Sequence, residues 1–168
     1  MSADLFKRAG LFVAFILAQT LVLGSIHLFG YATPMLYVYF VLLFPRNYPK
    51  WGILLWSFCM GLVIDMFFNT PGVAAASMTL IGAIQPYYFE MYLSRDAAEN
   101  IQPSMHNLGW VKYFYYSMAL VVLYCVVFFT LDAFTFYNWT VWLKCVLGSS
   151  SLTLMMILTF ETVQDRQE

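Results

Sequence analysis

Charge is scarce in this chain. Asp, Glu, Lys and Arg together make up 10% of its 168 residues, where a soluble domain carries roughly a quarter. A soluble globule of this length would lack the polar surface to cover its exterior. The net charge of −1 and the absence of any run among the eight Lys and Arg exclude nucleic acid as a partner. Cysteine is sparse too. Cys59, Cys125 and Cys145 are odd in number, lie in apolar runs and have no metal-ligand spacing, so they read as small membrane-buried hydrophobes. There is no nucleophile with a paired base, no phosphate-binding glycine loop, no metal-ligand cluster and no haem or flavin motif; no enzyme and no cofactor is expected. What abounds is apolar surface, 62% of the residues. The reading is one integral membrane domain, residues 1–168, all-α and polytopic.

A helix crosses ~30 Å of hydrocarbon with about 20 residues. Six runs are expected as spans: 9–29, 31–44, 51–68, 73–92, 113–131 and 139–160. The second is the weak one. Its apolar part, Pro34 to Phe44, is closed by Pro45 and reaches only about 17 Å as a helix. It must borrow residues 31–33, sit in thinned bilayer, or pack inside the bundle. Pro86 is an expected kink in the fourth span. With the N-terminus inside, Lys7, Arg8, Arg46, Lys50, Arg95, Lys112 and Arg166 all fall on the cytoplasmic side, and no outer loop holds a Lys or Arg. That bias puts both termini in the cytoplasm. Tyr48, Trp51, Trp110 and Tyr113 suit the inner headgroup level, Tyr137 and Trp139 the outer.

The stretch GLVIDMFFNTPG, residues 61–72, sets Asp65 close to the end of the third span, just before a Thr-Pro-Gly turn. A carboxylate at that depth is expensive and faces protein or water rather than lipid. Lys144, a turn inside the sixth span, has a similar depth, so the two could pair; the alternative is that Lys144 snorkels while Asp65 finds water or a backbone amide. His27, Asn69 and Asp132 sit at the same level and could line an outward-facing polar pocket. Glu90 and Glu161 lie near cytoplasmic helix ends, where carboxylates reach water. Thr70 can cap the helix that follows, Pro71 suits a helix start and Gly72 a tight turn; a tight turn alone accounts for these three but not for Asp65. Small residues mark possible helix contacts: Ala14 with Ala18, Gly61 on the face of Asp65, and Gly148 with Ser149 to Ser151.

A proline-initiated short second span (TPMLYVYFVLLFP), the PRNYPKW hinge and GLVIDMFFNTPGVAAASMTLIG together resemble the MreD family of bacterial rod-shape-determining membrane proteins. Asp65, Pro71 and Gly72 match that family's G-h-h-h-D element and Pro-Gly-type turn; the specific match covers about residues 30 to 90. The resemblance implies a non-enzymatic inner-membrane subunit of the cell-elongation, peptidoglycan-building machinery. Implied partners are the bitopic shape protein MreC, the actin-like MreB filament, and the glycosyltransferase and transpeptidase of the lateral wall. It also implies a six-helix bundle similar to the substrate-binding subunits of energy-coupling-factor transporters, which supplies the alternative function: a vitamin-binding membrane subunit.

Overall fold

In hydrocarbon a backbone must satisfy its own hydrogen bonds, so apolar runs without breakers become helices. The computed structural model describes residues 2–23, 33–93, 101–133 and 139–165 and has no strand among them. The helices are α1 (Ser2–Leu17), α2 (Val38–Leu42), α3 (Lys50–Phe68), α4 (Val73–Tyr92), α5 (Met105–Leu108), α6 (Trp110–Ala133) and α7 (Trp139–Asp165). A π-helical stretch, Ala18–Leu23, continues α1. Among the described residues three helices are long and apolar enough to cross a membrane: α3, α6 and the Trp139–Val163 part of α7. The chain is a membrane protein in composition and in architecture.

At four of the expected spans a helix stands at nearly the expected place, α3, α4, α6 and α7, and of these α3, α6 and α7 are the ones long and apolar enough to cross a membrane. The helix of α4 continues through Pro86. The first begins earlier, at Ser2, and is described to Leu23. The second departs from expectation. Within 31–44 the described helix is a single turn, Val38–Leu42, with Thr33 to Tyr37 non-helical before it.

This segment is the centre of the fold. Met35 through Leu42 are each at most 4% exposed, which a helix on the lipid surface could not achieve. The long helices form an arc around it: α1 packs on α3, α3 on α4, α4 on α6 and α6 on α7, while α2 touches α1, α4 and α6. Of the three ways to accommodate a short second span, the chain uses the one in which it packs inside the bundle. Non-helical backbone at membrane depth is tolerated only where protein encloses it.

Aromatic rings grip the segment where it leaves the core. Phe40 meets Phe12 and Phe44 edge-on at centroid distances of 5.8 and 5.3 Å. The Arg8 guanidinium lies 4.9 Å from the Phe44 ring centre and 4.4 Å from that of Tyr48, a cation–π contact that seats a charge against an apolar surface.

Candidate functional site

The turn between α3 and α4 shows why the chain keeps a carboxylate at Asp65. Helix α3 ends at Asn69, whose left-handed backbone (φ 55°) suits the short polar side chain of Asn. Helix α4 then starts behind Gly72, at φ 82° and with open space where a Cβ would point. Gly72 is needed here for its backbone, not for close approach. Lacking a side chain, it leaves the first amides of α4 without a cap. Asp65 supplies one from the preceding helix: Ala74 N–H donates to its Oδ1 and Ala75 N–H to its Oδ2, both at 2.9 Å. The Thr70 hydroxyl donates to Oδ1 at 2.8 Å, Val73 N–H reaches the Thr70 carbonyl at 3.4 Å and Ala76 N–H the Gly72 carbonyl at 3.0 Å. Every amide of the first turn is thus satisfied, and the carboxylate faces the positive end of α4.

One choice between two readings is decided as a result, and one expectation changes. Of the two readings of Asp65, the one in which it finds backbone amides while Lys144 stays exposed holds, and the Lys144 pair does not: the acceptors of Asp65 are filled by its own hairpin, and α7 packs chiefly on α6 and α5. Thr70 does not cap α4 with its hydroxyl, because that hydroxyl orients Asp65. Pro71 is exposed in the turn. One turn below Asp65, a Cβ on Gly61 would lie 2.4 Å from Ala75 Cα and 2.6 Å from Ala74 O. The expected packing role of Gly61 is therefore real, and its partner is α4. Gly82 repeats the device further along, meeting Ser57.

The central segment is held by polar side chains rather than by its own ladder. Gln19, in the π-helical turn, donates from Nε2 to the Pro34 carbonyl at 2.9 Å and accepts Leu36 N–H at 3.1 Å. Ser149 and Thr153 of α7 accept from Thr33 N–H and Met35 N–H at 3.1 and 3.0 Å. Gln85 of α4 donates to the Phe44 carbonyl at 3.2 Å and to the Tyr116 hydroxyl at 3.0 Å. Tyr37 bonds Tyr124 of α6 through their hydroxyls. Ser149 to Ser151 is accordingly more than a close-packing surface: Ser149 holds the segment, Ser150 bonds the Leu147 carbonyl of its own helix and Ser151 is exposed.

Glu161 also departs from expectation. It is 3% exposed and does not reach water. Its carboxylate accepts from the Tyr39 hydroxyl, from the Tyr113 hydroxyl at 3.1 Å and from Met105 N–H at 3.1 Å. One buried carboxylate thereby joins the central segment, α6, α7 and the start of α5. Tyr113 is fully buried in this cluster rather than at a headgroup level, whereas Trp51, Trp110 and Trp139 are exposed. Glu90 is exposed.

At the end of the bundle opposite Arg8 and Tyr48 lies a cavity of about 260 Å³, bordered by Gln19, Tyr37, Thr70 and Asp132 together with Phe68 and Phe128. The expected polar pocket is therefore partly right. Asp132 lines it; Asn69 is exposed and does not; His27 and Tyr137 lie outside the described residues. Ala14 faces outward and Ala18 and Gly148 are half-buried. Among the described residues no group of three or more His, Cys, Asp or Glu side chains is placed to hold a metal. Cys125 is buried, and Cys59 and Cys145 are half-buried free thiols.

Sequence reasoning missed Gln19, Gln85 and the burial of Glu161. A signal was present, since an amide or carboxylate inside an apolar run must find a protein partner. Compared with protein-family models, with curated proteins and with solved structures, the chain matches none.

Proposed function

We propose that this chain is a non-enzymatic scaffold subunit of the bacterial cell-elongation complex, resembling MreD, in the inner membrane with both termini cytoplasmic. It would dock the single helix of a bitopic shape protein of the MreC type and link it, directly or through it, to the MreB filament and to the lateral-wall glycosyltransferase and transpeptidase. The observation that supports this reading most is the use made of the family-like motif. Gly61, Asp65 and the Pro71-Gly72 turn lock α3 to α4, a rigid hairpin suited to a scaffold.

The small-residue faces divide in a way that fits docking. Gly61 is spent inside the bundle, whereas Gly10 and Ala14 of α1 are exposed, with nothing within 4 Å of a Cβ at Gly10. A Gly-x-x-x-Ala face open to the membrane allows a partner helix to approach closely. Co-purification tests this. A tagged chain should retain a bitopic partner, and Ala14→Leu should lose it at unchanged protein level. Depletion should round rod-shaped cells; unaltered shape with no bitopic partner would defeat the reading.

The 260 Å³ cavity favours a second reading, the substrate-binding subunit of an energy-coupling-factor transporter. Under that reading the tagged chain co-purifies a pair of ATPases and a vitamin instead.

A further inference from the structure

We infer that the cavity beside Asp132 is a binding site for an organic ammonium group. Of the polar side chains that border it, those of Gln19, Tyr37 and Thr70 are spent within the protein, which leaves the uncharged Thr33 hydroxyl and the Asp132 carboxylate. Gln19 is bonded on both sides of its amide, to Pro34 and Leu36. The Tyr37 hydroxyl is held by Tyr124 and the Thr70 hydroxyl by Asp65. Among the described lining residues the Asp132 carboxylate, exposed at the rim, is the charged group; it sets the charge preference and rejects anions. Much of the remaining wall is aromatic, Phe68, Phe128 and Phe129.

A carboxylate beside aromatic faces is the chemistry that recognises a substituted ammonium, whose charge meets the acid while its methyl or methylene groups lie on the rings. A bare metal cation fits poorly, because hard cations need about six oxygen ligands. The volume of about 260 Å³ falls just below that of drug-sized ligand pockets, which start at ~300 Å³, so a compact head group is expected. A free small amine and the head of a zwitterionic aminolipid share this chemistry.

The inference stands apart from the scaffold reading and is tested without the complex. Tetramethylammonium titrated into the detergent-purified full chain should raise its thermal midpoint saturably, with sodium at equal ionic strength as the control. Native mass spectrometry from nanodiscs of mixed phosphatidylethanolamine and phosphatidylglycerol reads the lipid source. A retained phosphatidylethanolamine adduct assigns the site to lipid, and a response to tetramethylammonium alone assigns it to a free amine. Asp132→Asn and Phe128→Ala should each weaken binding at least tenfold, while Asp132→Glu keeps it within a few-fold. Because Asp132 is exposed, its variants should fold and still assemble with a bitopic partner. No saturable response to either probe, preference for phosphatidylglycerol, or wild-type binding by Asp132→Asn would overturn the assignment.

Discussion

The carboxylate of Asp65 caps a helix to which it does not belong: its Oδ2 lies 2.9 Å from the backbone nitrogen of Ala75, ten residues further along the chain. Membrane helices that meet in a tight turn leave the first amides of the second helix without water. Here the first helix reaches over to supply the acceptor.

Removing that acceptor strands three donors. Asp65→Ala should destabilise the protein by about 3 kcal/mol, one or more for each unpaired buried donor. Lys144→Ala should stay within about 0.5 kcal/mol, as surface changes do. The two should add, because nothing couples them. Unfolding in mixed micelles measures all three variants; a strong, non-additive Lys144 effect would restore the ion pair.

Gly61 and Gly10 make a matched pair of tests. A methyl at Gly61 would sit 2.4 Å from the Ala75 backbone, so Gly61→Ala must push α3 from α4 and should cost about 1–3 kcal/mol. Gly10→Ala meets open space within α1 and should stabilise the protein by up to about 1 kcal/mol through helix propensity. Equal effects at the two sites would mean that the hairpin is not closely packed.

Glu161 links four parts of the chain, so its loss should be felt at a distance. Glu161→Ala should cost about 3 kcal/mol for its three donors and speed hydrogen exchange at Met105 and the rest of α5. Tyr39→Phe should cost about 1 kcal/mol and leave α5 protected. Unchanged exchange at α5 in Glu161→Ala would remove the linking role.

The proposed orientation has its own check. A C-terminal reporter that is active only in the periplasm should stay silent when fused after Glu168, given the positive-inside bias. A bright signal would reverse the orientation.

The hairpin was largely legible in the sequence. Hydropathy placed α3 and α4 to within a residue, and the cost of a carboxylate in an apolar run singled out Asp65. Its partner was half legible. Depth along two spans offered Lys144 and the cost of the charge offered a backbone amide; which amides they are appears only once Gly72 is known to start α4. The second span was readable as an anomaly, too short for the bilayer, with burial in the bundle as one of three ways to accommodate it. That Gln19, Gln85 and Thr153 hold it follows from which helices surround it, and hydropathy carries no information about adjacency.

The central segment also ties the fold to the order of synthesis. Thr33 and Met35 bond Ser149 and Thr153 across 116 and 118 residues, so their amides wait for α7 to leave the ribosome. The central segment is therefore finished only once α7 has been made. A cysteine introduced at Val38 should react with a maleimide in a chain truncated after Ala133 and be shielded in the full one; equal shielding would show that the segment settles without α7. Nascent chains of this protein would then carry an unfinished core until α7 is made, a window in which an insertase or membrane chaperone has something to hold.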